Sequence, residues 1–415
     1  MTLIARTVEI ADPGELLQYL PAPESGRPAQ SWIRRGDGLV AIGEVARWEV
    51  SRIGEADARW REFVAALPHH DELTHTGHPV FGSGPVAFGS FTFDPANTSR
   101  RSVLIVPRMV IGRMHGRSWL TVIGTAEAVA EPRLPAPSGP PEFAGEVSWS
   151  DGDLSGPQWE GVVSEVVDRI RTGAVDKVVL ARQLIAGAPR PIDPRWLLRS
   201  LVRTYSSTWA FRVDDMIGAS PEMLVRREGG LATSRVLAGT IWRTPGQDGE
   251  AIAAALADSS KDLIEHEYAV ASVAQALAPH CSGMNVPDSP YVLELPNVSH
   301  LATDVTAVAK PGSTSLALAE ALHPSAAVCG TPTDAARALI AEVEQLDRGR
   351  YAGPVGWLDS RGDGEWAIAL RCGRLSPDRR ELWAYAGCGI VADSDPAREL
   401  AETQAKLVPI RDALA

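Results

Sequence analysis

The chain has 415 residues, 45% of them apolar and 22% charged, with a formal net charge of −12. Such a chain can bury a large core, its acidic balance argues against a nucleic-acid surface, and no run approaches the roughly 18 apolar residues of a membrane span. The four cysteines, Cys281, Cys329, Cys372 and Cys388, show neither a C-x-x-C pair nor zinc spacing, so a reduced, cytoplasmic protein is expected. The N-terminus has no basic stretch leading into an apolar one, so no signal peptide is expected. An anionic substrate would be repelled by the global field and would need local cations or a metal.

Residues 1–130 read as mixed strand and helix. Residues 81–94 are rich in glycine and aromatics and lead into no helix, so bulged or closely packed strands fit better than a phosphate loop. Residues 103–110 and 118–123 follow as two strands joined by a glycine-containing turn. The segment 131–157 carries six prolines and reads as a linker or a long surface excursion. Trp159, Val162, Val163, Val166, Val167 and Ile170 have helical spacing, with Gly173 as the stop. An apolar strand over 176–182 comes next, then two strands over 211–227 around a Ser-Pro-Glu break. Residues 231–240 end in Leu-Ala-Gly-Thr, a close approach of backbone to something. A helix is expected from about 261 to 278, capped by Ser259 or Ser260, and a second over 332–344. A hairpin over 355–372 turns at Gly362-Asp-Gly364, and a strand over 383–390 leads into a last helix over 396–414.

Only four of the 40 basic residues are lysine: Lys177, Lys261, Lys310 and Lys406. Lysine, unlike arginine, can lose its proton when buried and act as a base. Lys177 lies in an apolar strand and is a candidate base; a packed stem with its head in water is the plain alternative. Asp262 and Glu265 share one face of their helix, and Glu399, Glu402 and Lys406 share a face of the last one. Two helices each offering a carboxylate can hold Mg²⁺, which takes oxygen ligands and keeps several waters. The same spacing also marks a solvated face. Glu222, just after Pro221, is a candidate general acid if burial raises its carboxyl pKa, and otherwise an edge glutamate facing water. Ala386-Gly-Cys-Gly-Ile390 either opens backbone N–H groups to an anion or is a plain β-bulge. His69, His70, His75 and His78 fit a solvated loop better than a zinc site. Cys388 has no base beside it, and His266 reads as a packing residue.

Taken together, these segments resemble the chorismate-utilising enzymes, the family of isochorismate, salicylate, anthranilate and aminodeoxychorismate synthases. The resemblance rests on Asp176-Lys-Val-Val-Leu-Ala-Arg182, Ala219-Ser-Pro-Glu222, Leu237-Ala-Gly-Thr240, Lys261-Asp-Leu-Ile-Glu-His266, His300-Leu-Ala-Thr303, Leu322-His-Pro324, Cys329-Gly-Thr-Pro332, Tyr351-Ala-Gly-Pro-Val-Gly356, Gly364-Glu-Trp366, Leu370-Arg-Cys372 and residues 386–406. These pieces run in the family's order over about residues 160–410. The N-terminal part matches loosely, through Ala87-Phe-Gly89 and Phe93-Asp-Pro95.

The resemblance implies an α+β fold, one large unit with an antiparallel β-sheet core flanked by helices. Residues 1–130 would form its N-terminal part, 131–157 a proline-rich connection and 158–415 the chorismate-binding part. It also implies Mg²⁺ held by Glu265 and Glu402, with Asp262 and Glu399 supporting them. Substrate would be bound by Gly239, Thr240, His300, Val328, Tyr351, Arg371, Gly387, Gly389 and Lys406. Within the family, a lysine at 177 matches the branch that uses water as nucleophile. Ala238 stands where aminodeoxychorismate synthases carry a lysine. The expected reaction is therefore water addition at C2 of chorismate with loss of the C4 hydroxyl, giving isochorismate for a quinone or a siderophore pathway. Lys177 would be the general base and Glu222 the general acid. Salicylate synthesis, which adds elimination of pyruvate, is the alternative; Asp262 in place of glutamate and the Val328-Cys-Gly-Thr-Pro332 segment speak against it. A non-catalytic relative that binds chorismate is a more distant one. No amidotransferase subunit is expected, and the resemblance suggests a monomer.

Overall fold

Near-continuous apolar strands organise this chain, as a sheet covered on both faces requires. The computed structural model describes residues 2–76, 79–242, 260–295 and 298–415; the side chains of 75–76, 238–242, 260–262, 265, 294–295 and 298–300 are not described. Among the described residues the strands form a thirteen-stranded and a ten-stranded sheet. The large one runs Ser148–Asp151, Lys177–Gly187, Glu381–Ile390, Cys372–Leu375, Met216–Ser220, Trp209–Val213, Ala29–Arg34, Asp37–Ile42, Met109–Met114, Arg117–Gly124, Ile4–Glu9 and His69–Asp71, with Gly330–Thr331 paired to the start of Lys177–Gly187. The small one runs Cys281–Asn285, Val298–Ala309, Leu231–Trp242, Met223–Glu228, Gly364–Ile368, Pro354–Asp359, Val86–Ser90, Ser102–Val106 and Ala46–Val50, with Tyr291–Leu295 beside Val298–Ala309. Pairing is antiparallel apart from Ile4–Glu9 with His69–Asp71. The expected antiparallel α+β architecture is the one observed.

One face of the large sheet, with Trp32, Leu39, Val110, Trp119 and Phe211, joins Phe88, Leu104, Val355 and Trp357 of the small sheet in the main core. The other face, with Ile33, Val40, Ile111, Leu120 and Ala210, packs with Leu197, Leu201, Leu407 and Ile410 of the helices Pro194–Thr204 and Pro396–Leu414. Each such side chain contributes roughly 1.5–3 kcal/mol by leaving water. The helix Gly156–Arg171 opens on a Ser155–Gln158 capping box and buries all six of the apolar residues that marked it. Gly173 follows at φ 82°. The helices Ser260–Leu277 and Thr333–Val343, the hairpin Pro354–Asp359/Gly364–Ile368 and the last helix fall where the periodicity places them. Among the described residues no helix is long and apolar enough to cross a membrane.

Two stretches hold more strands than their periodicity suggests. Residues 102–124 form three, because Pro107 cannot donate to a ladder and His115-Gly116, both at positive φ, make a hairpin turn. Residues 209–228 also form three, with a turn at Asp214 (φ 59°) and a break at Pro221. The segment 131–147 crosses the surface as an ordered strap. Ser138 N donates to Gln18 O at 2.7 Å, Arg195 Nη1 to Gly139 O at 3.0 Å, and Phe143 packs 5.2 Å from Trp196.

The break at Pro221 carries the chain from one sheet to the other, since Met216–Ser220 belongs to the large sheet and Met223–Glu228 to the small. Residues 369–371 make the opposite crossing, from Gly364–Ile368 to Cys372–Leu375. The crossings lie side by side. Ala219 N donates to Arg371 O at 3.1 Å, Ile368 N to Glu222 O at 3.1 Å and Ser220 Oγ to Ile368 O at 2.6 Å. A Cβ on Gly218 would stand 2.7 Å from Arg371 O and 2.4 Å from Cys372 Cβ. Gly218→Ala is therefore expected to push the crossings apart and destabilise the protein by about 1–3 kcal/mol in urea denaturation; unchanged stability would show that the approach is slack.

Candidate active site

Because of this double crossing, Glu222 and Arg371 stand next to each other although they are far apart in the chain. Ser220 Oγ accepts from Glu222 N at 3.2 Å and shapes the turn that delivers the carboxyl. Arg371 sits at φ 47°, a conformation that side-chain-bearing residues adopt only under local constraint. Glu222 is half-buried. Burial pushes its carboxyl up to about 7, against the pull of Arg371, Lys406 and Lys177. A carboxyl that titrates near neutrality can give or take a proton at physiological pH. Burial likewise lowers the pKa of Arg371, opposed by Tyr351, Glu222 and Glu402.

The floor of the site is the antiparallel pair Lys177–Gly187 and Glu381–Ile390, in which Val179 faces Gly389, Ala181 faces Gly387 and Gln183 faces Tyr385. Side chains directly opposite share a face, so Lys177, Val179 and Ala181 lie on the side of the two glycines. A Cβ on Gly389 would come within 2.9 Å of Lys177 Cε, and one on Gly387 within 3.2 Å of the Tyr351 hydroxyl. The glycines thus make room for the lysine stem and the phenol. Tyr351 is buried, stacks on Tyr385 at 5.1 Å and 17°, and has its phenol pKa raised by burial. Lys406 Nζ pairs with Glu402 at 2.6 Å and donates to Gly387 O at 2.9 Å, which ties the last helix to this strand.

Glu222 also lines a cavity of about 230 Å³ shared with Leu237, Ala269, Ala326, Ala327 and Ile368. Ahead of Val328 the cavity is bordered by Pro324, Ser325, Ala326 and Ala327. Val328, expected among the substrate-binding residues, is 3% exposed and packs in the main core.

Lys177, Glu222, Tyr351, Arg371, Gly387, Gly389, Lys406 and Glu402 are thus brought together. Glu399, one turn before Glu402, is half-buried, and its backbone carbonyl accepts from the Cys388 thiol at 3.8 Å. Gly239 and Thr240 lie in the strand Leu231–Trp242, where the register shifts between Ala238 and Thr240, opposite His300. The side chains of Thr240, Asp262, Glu265 and His300 lie outside the described residues, as do those of Lys261 and His75 and the whole of His78. Among the described residues no three or more His, Cys, Asp or Glu gather as a metal site. Glu402 offers carboxylate oxygens beside Arg371, a donor type that suits Mg²⁺. Buried His266 bonds Thr303 Oγ1 at 2.7 Å, and Cys388 is buried with its thiol pushed up by that burial, as packing roles require. His69 and His70 are exposed in a short edge strand.

The chain as a whole is similar to known proteins. The family model of chorismate binding enzymes matches residues 2–415. The isochorismate synthase MenF of Bacillus subtilis is 31% identical over 99% of this chain and 92% of its own length. The vibriobactin-specific isochorismate synthase of Vibrio cholerae is 34% identical over 79% of this chain and 78% of its own. The solved structure of the menaquinone-specific MenF of Escherichia coli superposes with a TM-score of 0.80 at 24% identity, covering 100% of this chain and 95% of that one, a likeness of fold.

Because its pKa in the folded state is raised, Glu222 contributes stability fully below about 4.5 and loses it as pH rises through about 7. Glu222→Gln mimics the protonated form. Its stability advantage over the wild type in thermal melts is expected to be larger at pH 8 than at pH 5; an equal difference at both would mean that Glu222 does not titrate in this range.

Proposed function

As the chain belongs to the chorismate-binding enzymes, we propose that it is an isochorismate synthase, an isomerase that converts chorismate to isochorismate. The observation that carries this reading is Glu222, a half-buried carboxyl held near neutrality within the electrostatic reach of Arg371, Lys406 and Lys177, with Tyr351 acting in turn on Arg371. The named relatives of similar sequence support it.

In the proposed reaction Lys177 takes a proton from the water that attacks C2, and Glu222 gives one to the departing C4 hydroxyl, so one water enters and one leaves. Arg371, Tyr351, Lys406 and the backbone N–H groups of Gly387 and Gly389 bind the two carboxylates, which answers the repulsion of a chain with net charge −12. Gly239, Thr240 and His300 are assigned to the same binding role by resemblance. Glu265 and Glu402, supported by Asp262 and Glu399, would hold Mg²⁺, which when bound supplies positive charge to a substrate carboxylate. Water as nucleophile requires no amidotransferase subunit.

Incubation of the protein with chorismate and Mg²⁺, with products separated by chromatography, is expected to yield isochorismate and to stop with EDTA. Lys177→Gln and Glu222→Gln are each expected to lower kcat by roughly 10²–10⁴-fold. Wild-type turnover should decline as pH rises through about 7, where Glu222 loses its proton. Salicylate and pyruvate formed in step would move the protein to the lyase branch, and no conversion would sink the enzyme reading.

A further inference from the structure

The strand that carries Lys177 has an incomplete edge. On one side it pairs from Val178 to Gly187 with Glu381–Ile390. On the other it pairs with Gly330–Thr331 at Lys177 and Val178, and with Ser148–Asp151 from Leu184 onward. Between these two partners the backbone groups of Val179 and Ala181 have no strand beside them. Buried peptide groups must find partners, and here side chains supply most of them. Arg348 Nη2 donates to Val179 O at 2.6 Å, Ala181 N donates to Glu344 Oε2 at 2.8 Å, and Trp159 Nε1 donates to Ala181 O at 3.0 Å. Val179 N donates to Cys329 O at 2.9 Å.

Glu344 and Arg348 are themselves a bidentate ion pair, at 2.5 and 2.6 Å, with side chains 2% and 4% exposed. Such a pair adds little net stability, because desolvation offsets the attraction. Its placement suggests another use. The Arg348 guanidinium also donates to Val328 O at 3.0 Å and lies 4.2 Å over the Phe93 ring, while Arg348 O accepts from Tyr351 N at 2.9 Å. One pair therefore joins the Lys177 strand, the turn that borders the cavity and the turn that presents Tyr351.

We propose that Glu344 and Arg348 are positioning residues, which set the register between the Lys177 strand and the Tyr351 turn and through it the placement of the Lys177 amine. Lys177 and Tyr351 stand over Gly389 and Gly387, two residues apart on one strand. Neither Glu344 nor Arg348 lines the cavity beside Glu222. In its effect on turnover this inference rests on the proposed function; in its effect on Lys177 it does not.

Four lysines in the chain make the test direct. Protein labelled with ¹³Cε-lysine gives a small set of signals, of which Lys177 is assigned by its loss in Lys177→Gln. Lys310, bonded to Ala278 O and Pro279 O away from the site, is the internal control. Glu344→Gln keeps an acceptor for Ala181 N and should fold; Arg348→Lys loses the planar fork that serves two carbonyls and a carboxylate at once. In both, the Lys177 signal is expected to move while that of Lys310 stays. Per folded molecule, kcat should fall by about 10–100-fold with KM within about threefold, as misplacement of a catalytic group predicts. An unmoved Lys177 signal in either folded variant overturns the proposal, as does unchanged kcat beside an active wild type. A wild type that does not convert chorismate sinks the functional reading, while the lysine signals still decide the positioning.

Discussion

Two crossings of the chain between the sheets, hydrogen-bonded to each other at Ser220–Glu222 and Ile368–Arg371, are the constraint on which the site depends. A strand that leaves one sheet for another must expose its backbone groups where the ladder ends. Here the crossings satisfy each other, so neither needs a covering element. The irregular backbone that results brings Glu222 and Arg371 close enough to act on each other electrostatically. The close approach at Gly218 and the left-handed conformation of Arg371 belong to the same arrangement. Rigid strands on both sides of each crossing hold the two side chains more closely than a free loop could.

The electrostatics follow from that placement. A chain with net charge −12 gathers Lys177, Arg371 and Lys406 around one half-buried carboxyl. Without these cations burial would drive Glu222 still higher; without burial the cations would hold it ionised. The balance near neutrality is a property of the assembly, and it is the property that proton transfer in both directions requires. Lys406 has a double tie, to Glu402 and to Gly387 O, so the last helix cannot drift from the floor strand without exposing both.

Much of this was legible in the chain itself. Apolar spacing marked the helices Gly156–Arg171 and Pro396–Leu414, and the scarcity of lysine drew attention to Lys177 and Lys406. The Ser-Pro-Glu break drew attention to Glu222, the ordered motifs identified the family, and the family resemblance pointed to Tyr351 and Arg371. What spacing misjudged were the breaks: Pro107 and Pro221 split stretches that look continuous, because a lost backbone donor acts on the ladder and not on the apolar pattern.

The sequence by itself determined most of the helices, the family and the candidate groups, because these depend on neighbours two to four residues away or on ordered motifs. Tertiary structure alone decided which groups lose water. Glu344 and Arg348 have the spacing of an ordinary exposed helix pair, and only packing against Val179, Ala181 and Val328 makes them a buried clamp. Val328 faces the core while Ala326 and Ala327 face the cavity for the same reason. Desolvation is set by atoms distant along the chain, and periodicity carries no record of them.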